Sequence, residues 1–146
     1  MRPVTPADAA TVAAHRYSDA RDLPERAVYA AWVESALREG SYLGFLLESG
    51  GEVIAGAGVT LLHWGPTRGD PQPWRARVVN VWTHPDWRRA GHARTLVMAC
   101  LDALRARGVT RVSLGSSDMA RPLYGALGFA ASPHEMNLIL RAAQAE

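Results

Sequence analysis

The chain predicts an α/β fold built on a mixed, mostly antiparallel sheet with a central β-α-β crossover and helices on both faces. Three observations predict it. Two amphipathic helical stretches come before any strand pattern. A strand–turn–strand–loop–strand series then fills the region from Tyr42 to Thr83. Last, the β-branched strand that ends this series runs through a basic turn directly into a long helix, and another strand follows.

Taken in order, Thr5-Pro6-Ala7-Asp8 is a helix start, with Thr5 as cap, Pro6 at the first helical position and Asp8 in the capping-box place. That helix reaches Arg16 or Tyr17, and Asp19 to Asp22 is a polar connection. A second helix begins near Pro24, with Val28, Trp32 and Ala36 spaced along one face and Gly40 as its stop. Tyr42 to Glu48 and Val53 to Leu62 are strands of a hairpin turned at Ser49-Gly50-Gly51-Glu52. Gly56 and Gly58 inside the second strand mark a bulge or a close neighbour. Gly65 to Pro73 is a long loop, a place where scaffolds often carry specificity. Arg75 to Thr83 is the third strand. A helix from about Gly91 to Arg107 puts Leu96, Val97, Cys100, Leu101 and Leu104 on one face, and Gly108 stops it. Arg111 to Gly115 is a strand parallel to the one before the helix. Ser116-Ser117-Asp118 offers caps for a short helix ending near Leu127, irregular up to Arg121 because of Pro122. Phe129 to Ala131 and Glu135 to Leu140 read as two closing strands.

At 146 residues the chain is expected to be one domain, 1–146, able to bury a real core. Its 48% apolar and 21% charged content excludes a disordered chain. The net charge is only +2, and the basic residues gather between Arg68 and Arg121. A local patch is expected rather than a nucleic-acid-binding surface. No apolar h-region follows Met1-Arg2-Pro3 and no apolar run could span a bilayer, so no membrane association is expected. Cys100, the only cysteine, excludes an internal disulfide and a thiolate zinc cluster, and the five histidines lack ligand spacing. A cytoplasmic, metal-free protein is expected.

The chemistry concentrates in the turn Arg88-Arg89-Ala90-Gly91-His92-Ala93-Arg94. A loop that opens a helix presents N–H groups without intrahelical partners, and the helix dipole adds partial positive charge. Gly91 lets the backbone approach a ligand closely, Ala93 is the next smallest choice, and Arg88, Arg89 and Arg94 carry permanent charge. The combination suits a pyrophosphate. The rival reading is a plain turn with solvated arginines.

With its preceding strand and x-Pro turn, this stretch resembles the Arg/Gln-x-x-Gly-x-Gly/Ala loop of the GCN5-related N-acetyltransferase (GNAT) family. Leu123-Tyr124-Gly125-Ala126-Leu127-Gly128-Phe129 resembles that family's second signature, a tyrosine on the last helix closed by Gly-Phe. The element order from Thr5 to Leu140 is similar throughout, so a GNAT-like fold is implied. The resemblance implies acetyl-CoA as co-substrate, with no metal, and transfer of acetyl to a primary amine of a small molecule, peptide or protein by direct attack. It implies that the backbone of Arg88, Arg89, Ala90, Gly91, His92, Ala93 and Arg94 wraps the CoA pyrophosphate. Val81, Trp82 and Thr83 would pair with the pantetheine, Ser117 and Tyr124 would contact the cofactor, and Tyr124 would be the catalytic acid. Ser117 stands where relatives often carry asparagine, and Arg77 stands where several carry a glutamate base. The resemblance also admits a homodimer through C-terminal strands.

For the base, His63, His84, Asn80 with a water, and the Glu34 region all stay open. Trp64, Trp74, Trp82 and Trp87 either wall an acceptor pocket or serve as ordinary core and rim. Cys100 reads as inert core. Two other functions compete with the transferase. One is a CoA- or nucleotide-binding sensor without turnover. The other is a nucleic-acid-linked role, disfavoured because the basic charge is already taken by the cofactor's phosphates.

Overall fold

In the computed structural model, which describes residues 1–141, five strands form one sheet in the order β1-β2-β3-β4-β5. β1 (Arg2–Pro3), β2 (Tyr42–Ser49), β3 (Glu52–His63) and β4 (Trp74–Thr83) pair antiparallel. β5 (Val112–Ser113) runs parallel to β4, joined to it through α3 (His92–Ala106). The mixed, mostly antiparallel sheet with one crossover is therefore as the sequence predicts. The described residues group into two units, Met1–Ser116 and a second beginning at Ser117.

Side-chain alternation puts helices on both faces of the sheet. α1 (Ala9–Arg16) and α2 (Leu23–Glu39) bury Val12, Val33 and Ala36 with Tyr42 and Leu46, and Val79 of β4 leans on this cluster. Val78, next in the chain, is buried on the other side. There α3 lays its stripe of Leu96, Val97, Cys100 and Leu104 against β2, β3 and β4. The stripe on α2 differs from the predicted one. Val28 is 70% exposed, and Tyr29, Val33 and Ala36 hold the inner line. Spacing of i, i+4, i+8 drifts around a 3.6-residue helix, so Val28 leaves the face that Ala36 occupies.

The helix start is a 3-10 turn (Pro6–Asp8) before α1. The Asp8 carboxylate accepts the Thr5 N–H at 2.8 Å and the Thr5 hydroxyl at 3.1 Å. Arg2 clamps the same carboxylate at 2.8 Å and reaches Glu48 at 2.8 Å, tying β1 to β2 and to the turn.

Three strand expectations need correction. Arg111 to Gly115 shortens to the two residues of β5, and the closing strands at Phe129 to Ala131 and Glu135 to Leu140 are not formed. Met136, Leu138, Ile139 and Leu140 are all more than 80% exposed. A short apolar run can read as a strand, but extended structure also needs a paired edge and a covered face. The C-terminal strands through which the resemblance placed a homodimer are thus absent among the described residues.

Candidate active site

β4 carries a defect in its pairing. Its register against β3 passes from Gly58↔Val79 to Gly56↔Trp82, so Asn80 and Val81 together face the single residue Ala57. Asn80 takes up the extra length at φ +59°, a left-handed conformation that asparagine tolerates better than most residues. Of the two readings of Gly56 and Gly58, a bulge or a close neighbour, the structure shows both. A methyl on Gly58 would overlap the Tyr42 hydroxyl, and one on Gly56 would meet His15 Nδ1 at 3.0 Å.

The Asn80 amide holds the bulge in place. Its Nδ2 donates to Tyr29 Oη at 2.8 Å and to Tyr42 Oη at 3.0 Å. Burial pushes the Tyr42 phenol well above its ordinary pKa, so it stays protonated. Beyond the bulge, Trp82 stacks flat on His15, with centroids 4.1 Å apart and 12° between planes. Burial pulls the His15 imidazole down to about 4, so it is neutral at pH 7. β5 reaches β4 only at Ala76 and Arg77, which leaves the stretch from Val78 to Thr83 without a strand on that side. Val81, Trp82 and Thr83 therefore lie on an open edge whose backbone groups can pair with an extended ligand. Arg77 donates to Ser113 Oγ at 3.4 Å, at the β5 junction.

The basic turn continues this edge. A 3-10 turn (Pro85–Trp87) leads to Arg88, whose Nε donates to the Thr83 carbonyl at 3.3 Å. Arg89 (φ +65°) and Gly91 (φ +80°) both turn left-handed, and Gly91 caps α3. The Thr95 N–H and hydroxyl both bond the Gly91 carbonyl at 3.1 Å. The first-turn N–H groups of His92, Ala93 and Arg94 point out of the helix start, as helix geometry requires. Among the described residues no carboxylate pairs with Arg88, Arg89 or Arg94. His92 contributes a ring contact to Trp87 at 6.2 Å, and Ala90 is exposed in the loop.

In the second unit, α4 (Arg121–Ala126) takes Pro122 in its first turn, where a missing N–H costs nothing. The Ala120 N–H bonds Ser117 Oγ at 3.3 Å. Gly128, at φ +99°, ends the helix as a Schellman motif. The Phe129 N–H bonds the Tyr124 carbonyl at 3.0 Å, the Gly128 N–H bonds the Gly125 carbonyl at 3.0 Å, and the Tyr124 and Phe129 rings meet edge-on. The Tyr-x-x-x-Gly-Phe spacing thus has a physical origin in how the helix terminates. Tyr124 is 8% exposed, and burial raises its phenol pKa.

Several expected site groups lie elsewhere. Trp74 and Trp82 are eight residues apart on one strand, about 26 Å at 3.3 Å per residue. The tryptophans therefore form no common wall: Trp74 meets His63, Trp64 holds Arg75, Trp82 holds His15, and Trp87 meets His92. The Gly65–Pro73 loop sits at the Trp74 end of β4, fastened by Asp70 to Gln72 and to the Thr110 hydroxyl. His63 is at that end too. His84 uses Nδ1 to accept the Asp86 N–H at 3.1 Å, and Glu34 is spent in an exposed pair with Arg38 at 2.8 Å. What the sequence reading missed is the cluster of His15, Arg16, Tyr17, Tyr29 and Tyr42 around Asn80. The one local signal was the His-Arg-Tyr run that ends α1.

This arrangement of strands and helices is that of the N-acetyltransferases. A GCN5-related N-acetyltransferase from Ralstonia eutropha JMP134 superimposes with a TM-score of 0.83 at 27% identity, over 94% of this chain and 96% of that one. A predicted acetyltransferase from Clostridium acetobutylicum, solved with acetyl-CoA, shares the fold at a TM-score of 0.86 and 18% identity, over 94% of both chains. A profile of the acetyltransferase (GNAT) family matches residues 9–129, and the chain belongs to that family. It is also 35% identical over 63 residues to the glucosamine 6-phosphate N-acetyltransferase of Trypanosoma brucei brucei, a match spanning 43% of each protein. Among the described residues no helix is long and apolar enough to cross a membrane.

Proposed function

We propose that the chain is a single acetyltransferase domain that binds acetyl-CoA and moves the acetyl group to a primary amine of a small molecule or peptide within a ternary complex. One observation carries this reading: the open edge of β4 runs straight into a left-handed basic turn at the start of α3, whose arginines have no carboxylate partners among the described residues. The N–H groups from Arg89 to Arg94 cradle the pyrophosphate, and Arg88, Arg89 and Arg94 neutralise it. The backbone of Val81, Trp82 and Thr83 pairs with the pantetheine amides, and an N–H there polarises the thioester carbonyl. The amine lone pair attacks that carbonyl, the C–S bond breaks as the tetrahedral intermediate collapses, and Tyr124 gives its proton to the departing thiolate. Burial favours the protonated phenol, which suits an acid at neutral pH. The proton lost by the amine passes to water. The Ser117 hydroxyl is assigned to the cofactor. The resemblance of part of the chain to a glucosamine 6-phosphate enzyme supports a small amine as acceptor. The lone, buried Cys100 supports a reducing, cytoplasmic setting.

Isothermal titration tests the site. Wild type is expected to bind acetyl-CoA, and an Arg89→Glu, Gly91→Glu double variant to bind at least roughly tenfold more weakly, since charge-assisted contacts are replaced by repulsion. No binding by wild type at millimolar acetyl-CoA would overturn the reading. Binding with no thiol release against a panel of amines would leave a CoA-binding module without turnover.

A further inference from the structure

Resting on that acetyltransferase reading, we propose that the acceptor amine carries an anionic group, a carboxylate or a phosphate, and that Arg16 and Arg26 receive it. Arg16 ends α1 beside the bulge. Its guanidinium lies 4.7 Å from the Tyr29 ring centre and 5.6 Å from that of Tyr17. Its Nε donates to Tyr17 Oη and its Nη1 to Asn80 Oδ1, both at a long 3.4 Å. Arg26 comes from α2 to the same residue, donating from Nε to the Tyr17 carbonyl at 2.7 Å. Among the described residues no carboxylate forms an ion pair with either arginine, although Asp19 lies nearby in sequence and is taken by Arg21 at 3.0 Å.

The corner is built rather than incidental. Stacking on aromatic faces holds a guanidinium in one plane without consuming its outward N–H donors. Trp32 stacks on Tyr29 at 5.6 Å, and Tyr17 meets Tyr29 edge-on at 5.9 Å. Arg16 is therefore clamped from below, with its strong hydrogen bonds still to be made. Its position also suits an acceptor. His15, the preceding residue, stacks on Trp82, and Asn80 is two residues before Trp82 on β4. Two residues span at most about 7 Å, and less across the bulge, which is within the length of a small amino acid or amino sugar phosphate. An amine held at the thioester beside Trp82 then reaches Arg16 with an anionic end.

The test compares matched acceptors that differ only in the anion: glucosamine 6-phosphate against glucosamine, and L-phenylalanine against phenethylamine. The ratio of kcat/KM within each pair is read for wild type, Arg16→Gln, Arg16→Lys and Arg26→Gln, with acetyl-CoA titrated into each protein. Wild type is expected to prefer the anionic member of at least one pair by about tenfold or more, carried by KM. Which pair shows it separates phosphate from carboxylate. In Arg16→Gln that ratio is expected to fall to about one, and Arg16→Lys to recover part of it. A wild type that binds acetyl-CoA yet shows no preference in either pair overturns this inference and leaves the acetyltransferase reading intact. So does a preference that survives in both glutamine variants. A wild type that does not bind acetyl-CoA is a failure of the proposed function instead. If Arg16→Gln fails to fold, the wild-type ratios and Arg16→Lys still decide.

Discussion

Asn80 does three jobs with one side chain. It accepts a left-handed backbone, holds two tyrosine hydroxyls and meets Arg16. Those bonds exist only because Gly58, across the sheet, leaves room for the Tyr42 hydroxyl. Gly58→Ala is expected to cost roughly 2–3 kcal/mol in urea unfolding, since the methyl must displace a packed phenol. A cost below a few tenths of a kcal/mol would show that Tyr42 can move aside freely. Tyr124 is a different kind of residue, whose ring has a packing role with Phe129 and whose hydroxyl has the proposed chemical one. Tyr124→Phe keeps the ring. It is expected to lower kcat by about a hundredfold or more, the usual worth of a positioned acid, with little change in unfolding free energy. An unchanged kcat would remove Tyr124 from the mechanism.

At the scale of elements, both sequence signatures are helix ends. Gly91 starts α3 and Gly128 finishes α4, each in a left-handed conformation that costs other residues about 1–2 kcal/mol. Gly128→Ala should therefore lower stability by about 1 kcal/mol and disturb the Schellman bonds that bring Phe129 back to Tyr124. Thermal unfolding followed by circular dichroism reads this, and an unchanged melting temperature would contradict it. Strand β4 shows how incomplete pairing leaves an edge open. A two-residue β5 holds one end, a bulge redirects the middle, and the far end keeps an unpaired edge where the basic turn begins. A longer β5 would have closed that edge.

Across the whole molecule, acid stability follows from two groups, His15 and Asp8, each tied to a different part of the sheet. The His15 imidazole titrates near 4 when folded, below its ordinary 6.5, because burial disfavours the cation. The unfolded chain then binds the proton more readily, so stability falls as pH drops from about 6.5 to about 4 and levels off below. The Arg2 guanidinium holds the Asp8 carboxylate down to about 2, so its contribution is present above 3.8 and is lost as pH falls towards 2. Denaturation curves across pH should resolve both steps. His15→Phe, which keeps a ring over Trp82, is expected to flatten the upper step, and Asp8→Asn to remove the lower. An upper step unchanged in His15→Phe would show that another group titrates there.

The sequence by itself determined the local features: the helix start at Thr5-Pro6, the glycine stops, the hairpin, the buried stripe of α3, and the basic turn with its glycine. Each depends on backbone preferences or spacing within a few residues, which a linear reading contains. It also marked Gly56 and Gly58 as the place of a bulge or a close neighbour, because both are poor strand residues, while the extra residue itself lies across from them on β4. Tertiary structure decided the rest. The segments 129–131 and 135–140 pair with no strand, and β-propensity without a partner makes no strand. Trp74 and Trp82 are near in sequence but lie at opposite ends of an extended strand that rises about 3.3 Å per residue, so they are not near in space. Conversely, Arg16, Arg26, Tyr29 and Asn80 come from three elements and meet only because α1 and α2 pack over the bulge of β4. No spacing rule connects residues 16 and 80. Their meeting is set by sheet register and helix packing.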